Sequence, residues 1–93
     1  MKYYLYIITN KNNTVLYLGV TNNLKRRITE HRNGINKGFS KKYNCYKLLW
    51  FEEFSDIQFA IEKEKKMKKW KREFKENLIN EKSPNWNDLH QYL

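Results

Sequence analysis

Two short runs of β-forming residues flank the tetrapeptide Asn10-Lys11-Asn12-Asn13, and nothing else in the sequence restricts the fold as much. The first runs from Lys2 to Thr9 and holds Tyr3, Tyr4, Leu5, Tyr6, Ile7 and Ile8. The second runs from Thr14 to Gly19 and holds Val15, Leu16, Tyr17 and Leu18. Tyr, Ile and Val favour the pleated strand, and Asn tolerates the left-handed conformations that turns require. The pattern predicts a hairpin with a loop over residues 10–13. With Thr9 opposite Thr14, Ile8 faces Val15, Tyr6 faces Tyr17 and Tyr4 faces Gly19. Strand parity then puts Tyr4, Tyr6, Ile8, Val15 and Tyr17 on one face, a placement that a one-residue slip would undo.

Thr21-Asn22-Asn23 reads as the capping cluster of a helix that runs to about Arg32. Leu24 and Ile28 form its apolar stripe. Arg27 and His31, four residues apart, stack beside that stripe and lean toward the hairpin, while Lys25 and Arg26 point away. Residues 34–44 read as a loop in which Lys37, Lys41 and Lys42 alternate with Phe39 and Tyr43. Tyr46 to Phe54 is a third strand, central or well covered. Ser55 or Asp56 caps a helical stretch that reaches about Lys82, with a bend or a new helix near Trp70 and Pro84 just past the end. Ile57, Ala60, Ile61 and Met67 define the apolar stripe of its first half, and Glu64 falls near the centre of that stripe. A carboxylate is costly to bury there unless a cation, a metal or hydrogen-bond donors compensate it. The elements add up to one domain over residues 1–93. Its class is α+β: a three-stranded antiparallel sheet, formed by the hairpin and a third strand, flanked by helices.

The chain of 93 residues carries 19 Lys and Arg against 10 Asp and Glu, a formal charge of +9. An excess of that size calls for a polyanionic partner, nucleic acid or an anionic membrane surface. Most of it lies in residues 1–54, with ten Lys or Arg against three Glu; residues 55–93 carry nine against seven Asp or Glu. In the second half the lysines are scattered around the helix and mixed with Glu62, Glu64 and Glu73, so no clean cationic face opposes an apolar one, and membrane association is not expected. No apolar run approaches the roughly 20 residues that span a bilayer, and the N-terminus has no signal-peptide pattern. The single Cys45 excludes an internal disulfide and a Cys-based zinc site; the expected location is the reducing cytoplasm.

Taken singly, these residues have plain structural explanations: tyrosines pack across hairpins, an arginine runs along a helix edge, a glutamate pairs with a lysine one turn on. Taken together, Tyr6, Tyr17, Arg27, His31 and Glu64 supply a proton acceptor, an anion clamp and a hard-metal ligand, the set that phosphodiester hydrolysis requires. Here the sequence resembles the GIY-YIG nuclease superfamily, in particular its small stand-alone bacterial predicted endonucleases. Tyr4-Leu5-Tyr6 stands for the first motif and Tyr17-Leu18-Gly19 for the second. Val20 to Arg27 resembles the stretch leading to the helix arginine, and Ala60-Ile61-Glu62-Lys63-Glu64 the segment ending in the metal-binding glutamate. Lys68 to Arg72 and Pro84 to Leu89 also resemble the small bacterial subgroup. Three features depart from the pattern: Tyr4 replaces the first motif's glycine, Val20 stands where many relatives carry lysine, and the family's late asparagine has no clear equivalent, Asn77 being the candidate.

The resemblance implies an endonuclease dependent on Mg²⁺ or Mn²⁺ that cleaves DNA rather than RNA, in repair, recombination or the processing of branched or nicked DNA. It implies that Tyr17 activates the water, Tyr6 positions the water or phosphate, Arg27 stabilises the pentavalent phosphate, His31 carries a proton or contacts phosphate, and Glu64 holds the metal. Lys25, Arg26, Lys41, Lys42 and Lys71 are the expected nucleic-acid contacts, with a protein partner supplying target specificity to a monomer or weak homodimer. The alternative is a nucleic-acid-binding module on the same fold with little or no catalysis.

Overall fold

A computed structural model describes residues 1–34 and 43–93. Lys37, Phe39, Lys41 and Lys42 of the expected basic loop lie outside the described residues. Strands β1 (Tyr3–Thr9), β2 (Leu16–Thr21) and β3 (Lys47–Phe54) form one antiparallel sheet in the order β2-β1-β3. Helix α1 (Leu24–Arg32) follows β2. Helices α2 (Ile57–Lys68) and α3 (Arg72–Lys82) follow β3, and a short 3₁₀ turn (Leu89–Tyr92) ends the chain. The alternating side chains of β1 feed two cores. Leu5 and Ile7 pack with Leu18, Trp50, Met67 of α2 and Ile79 of α3. Tyr6 and Ile8 pack with Leu24 and Ile28 of α1, and with Cys45 and Leu48. Helices therefore cover both faces, and β1, enclosed on each side, is buried from Leu5 to Thr9.

The hairpin keeps the expected faces but pairs two residues further along. Tyr6 opposes Gly19, Ile8 opposes Tyr17 and Thr9 opposes Leu16. Two causes fit this register. A network centred on Asn10 lengthens the loop: its Oδ1 accepts from the backbone N–H of Thr14 (2.8 Å) and Val15 (3.1 Å), while Asn13 turns through φ 58°. The Tyr6 ring then lies over Gly19, where a methyl group would occupy the space of its Oη and Cζ. Opposite Tyr17, as expected from the sequence, Tyr6 would have met another ring.

The third strand is an edge rather than the centre of the sheet, although Leu48, Leu49 and Trp50 are fully covered. Its register against β1 shifts between Ile7 and Ile8. The C-terminal segment covers part of its open edge: Asp88 accepts from Leu48 N–H at 3.0 Å and pairs with Arg32 of α1. Unpaired strand edges are thereby shortened.

The long helical stretch is two helices. It breaks at Trp70 and Lys71, where Lys71 is extended at ψ 151° with no glycine or proline present. A continuous helix would place Phe74 on the side of Met67 and turn Ile79 away by about a third of a turn. The break re-phases the chain, so Ile79 is buried and Phe74 is exposed. Ile57 and Ile61, expected in the apolar stripe of α2, are also exposed at 42% and 36%, while Ala60 and Met67 are fully buried.

The fit of Tyr6 over Gly19 yields a stability prediction. Gly19→Ala should destabilise the fold by about 1–3 kcal/mol, the usual range for overpacking. In a Tyr6→Leu background the same substitution should cost less than half as much. Chemical denaturation of the four proteins in this double-mutant cycle measures both; equal costs in the two backgrounds would show that the ring does not set the constraint.

Candidate active site

Asn23 caps α1 by accepting from Arg26 N–H at 3.1 Å, and Thr21 Oγ1 accepts from Asn23 N–H at 3.1 Å. Those two bonds set where the helix starts. Leu24 and Ile28 then seat it on the Tyr6 face of the sheet, so Arg27 and His31 come down over the hairpin. Tyr6 Oη lies 3.0 Å from His31 Nε2, and Arg27 Nε–H donates to Tyr6 Oη at 3.4 Å. All three groups are satisfied when the phenol donates to Nε2 and His31 carries its own proton on Nδ1. Tyr17 and Tyr6 flank the imidazole edge-on, with ring centroids 5.6 Å and 5.8 Å away. Arg27 reaches further, to Glu30 on the same helix at 3.5 Å.

Burial controls the protonation of this cluster. Tyr6 is 1% exposed and His31 6%. Desolvation raises the Tyr6 phenol to about 12, with the nearby Arg27 opposing the rise and Tyr17 and Glu64 adding to it. Desolvation also lowers His31 to about 4, and Arg27 pushes in the same direction. Near neutral pH both are uncharged. The positive charge of the cluster sits on Arg27, which is half-buried.

Glu64 comes to the cluster from α2. It lies on the seam between the buried Ala60 and Met67 and the exposed Ile57 and Ile61, and its side chain is 17% exposed. Its charge is felt at Tyr6, and Lys68 pairs with it at 3.2 Å. Among the described residues no group of three or more His, Cys, Asp or Glu is arranged to hold a metal. The candidate donor is therefore one hard carboxylate, paired with Lys68. That suits a magnesium-like ion that keeps most of its water and not a closed protein cage.

Of the five expected site residues, Tyr6, Tyr17, Arg27 and His31 meet by direct contact, while Glu64 stands on α2, paired with Lys68, and reaches Tyr6 through its charge. Lys25 and Arg26 are exposed on α1. Lys71 stands at the start of α3, next to Arg72, which donates to the carbonyls of Asn13 and Thr14 at 2.5 and 2.7 Å. Glu30 was not singled out by the sequence; its position one turn after Arg27 was the available signal.

A family model described as the GIY-YIG catalytic domain matches residues 2–77. The UPF0213 protein CPE1444 of Clostridium perfringens is 39% identical over 86% of this chain and 85% of its own length. The UPF0213 protein YazA of Bacillus subtilis is 32% identical over 86% of this chain and 80% of its own. The solution NMR structure of the UPF0213 protein BH0048 from Bacillus halodurans superposes with a TM-score of 0.59 at 26% identity, covering 95% of this chain and 93% of that one. It has the α+β arrangement described above.

The depressed imidazole makes the site a pH sensor of stability. Between pH 6.5 and about 4 the unfolded chain binds a proton at His31 that the folded chain refuses, so stability falls with acidification across that window and is fully present above it. The wild type should lose about 3 kcal/mol more than His31→Asn between pH 7 and pH 4. Denaturant titrations at the two pH values read this difference directly.

Proposed function

This chain belongs to the GIY-YIG family, and we propose that it is an endonuclease that hydrolyses phosphodiester bonds in DNA with Mg²⁺ or Mn²⁺, acting on branched or nicked molecules in repair or recombination. The observation that carries the proposal is the chain of contacts from Arg27 through the Tyr6 hydroxyl to His31, with Tyr17 against the same imidazole and Glu64 acting on Tyr6 from the neighbouring helix. A chain of +9 charge supplies the field that draws in a polyanion.

In the reaction, water adds to phosphorus, one P–O ester bond breaks, and the freed alcohol leaves with a proton. Tyr17, half-buried beside His31, would take the proton of the attacking water in its phenolate form, and solvent would protonate the leaving alkoxide. Tyr6 stays protonated, donates to His31 Nε2 and accepts from Arg27 Nε–H, so it acts on the phosphate by fixing that guanidinium. Arg27 bears the charge that grows on the non-bridging oxygens, aligned for that work by Tyr6 on one side and Glu30 on the other. His31 is too buried and too weakly basic to shuttle protons at neutral pH, and its part is to orient Tyr6. Glu64 would hold a divalent ion, which would supply positive charge at the phosphate. A protein partner supplies the choice of target to this small domain.

The Lys68 ammonium at Glu64 favours one competing reading, since an ion must displace it. On that reading the domain binds nucleic acid and hardly cuts. A single assay separates the two. With Mn²⁺ and supercoiled, nicked or branched DNA, nicking should appear and fall about 10²–10³-fold in Arg27→Ala, Tyr17→Phe and Glu64→Ala. Salt-sensitive binding without cleavage of any substrate would leave the binding module. Lys68→Ala should tighten Mn²⁺ binding, read by electron paramagnetic resonance of the free ion without any nucleic acid present.

A further inference from the structure

A concavity adjoins the cluster and shares Arg27 with it. Its volume is about 300 Å³, the lower end for clefts that hold small organic groups. It lies between α1 and the start of α2, at the end of β2. Tyr3 and Ile57 give it apolar surface, Asn22 and Glu30 give it hydrogen-bonding groups, and Arg26 and Arg27 give it charge. The Arg26 guanidinium engages no other described residue.

Helix geometry ties this cleft to Glu64. Residues 57, 61 and 64 fall on one side of α2 within a sector of about 60°. Ile57 lines the cleft, Ile61 follows one turn on, and Glu64 comes next. Both isoleucines are exposed although the sequence pattern assigns them to the core. An apolar strip thus leads from the glutamate to the cleft, and the arginine that serves the candidate active site forms part of the cleft wall. A polar substrate gains nothing from such a strip, whereas the flat face of a base does.

We propose that this cleft seats the nucleobase next to the phosphodiester held at Arg27, with its face on Tyr3 and Ile57 and its edge toward Asn22 and Glu30. The proposal rests on the nuclease reading above and deepens it. Stacking on an aromatic ring serves any base. The amide of Asn22 and the carboxylate of Glu30 add an edge preference, because a carboxylate accepts from the exocyclic amino groups of cytosine or adenine and repels a carbonyl. Arg26 pairs with the following phosphate. The site therefore takes a cytosine or adenine nucleotide, and it sets a preference at one position beside the cut.

The test is an NMR titration of the isotope-labelled protein, without divalent ion, by each of the four deoxynucleoside monophosphates and by inorganic phosphate alone. Saturable shifts should centre on Tyr3, Thr21, Asn22, Arg26 and Ile57, larger for dCMP and dAMP than for dTMP, and small for phosphate. Ile57→Ser, at an exposed first-turn position, should weaken nucleotide binding at least fivefold and leave the phosphate response as it was. Shifts equal for phosphate and nucleotides, shifts elsewhere on the surface, or unchanged affinity in Ile57→Ser would each overturn the base seat. Nicking by a protein that fails this titration would sink the base seat alone. A protein that seats nucleotides here but never nicks DNA would keep the cleft and lose the nuclease.

Discussion

The aromatic ring of Tyr6 resting on Gly19 is the contact from which the rest of the arrangement follows. It is a local steric fact: a residue with no Cβ on the edge strand and a large flat side chain on the central one. The ring can lie flat across β2 only because nothing projects from position 19. Lying there, it carries its hydroxyl to the place where α1 delivers His31 and Arg27. One packing contact thereby sets the strand register, orients a phenol and gives the first helix two polar anchor points. A helix of nine residues gains little from intrinsic propensity and needs such tertiary anchors.

The same contact shapes the electrostatics. A phenol and an imidazole held out of water both favour their neutral forms, so each satisfies the other without a buried charge. Had His31 kept its ordinary basicity, it would add a second cation beside Arg27 in acid, and the helix would be pushed from the sheet. Its depressed basicity leaves Arg27 as the charged member of the group, bracketed by Tyr6 and Glu30. A guanidinium whose orientation is fixed in advance loses less entropy when an anion arrives than one waving from the surface.

Much of this was legible in the sequence, and what was not has physical causes. Alternation told which side of the sheet Tyr6 and Tyr17 share, because parity survives any even shift in register. It did not tell which residue faces Tyr6, since a shift of two leaves both faces unchanged. The choice was made by the Asn10 network in the loop and by the space over Gly19, neither of which leaves a periodic trace. The caps at Asn23 and Asp56 were readable because capping is a local contest between side chain and backbone. The break before Arg72 carried no glycine or proline, and its exact place follows from the need to bury Ile79 on the same sheet face as Met67. The Lys41–Lys42 stretch lies outside the described residues.

The exposed isoleucines of α2 mark the limit of periodicity as a guide, and they bear on how the site is built. A helical stripe reveals which residues share a side; it does not reveal how far the neighbouring element extends beneath them. Here the sheet covers the half of the stripe that holds Ala60 and Met67 and stops short of Ile57 and Ile61. Glu64 occupies the boundary. A carboxylate wholly over the sheet would have been desolvated and driven toward its neutral form, and one wholly outside would have been screened by water and counterions. On the boundary it remains within electrostatic reach of Tyr6 and pairs with Lys68. The misfit between the expected and the observed stripe thus has one form: only the Ala60–Met67 half of it is covered, and the acid sits between that half and the exposed isoleucines.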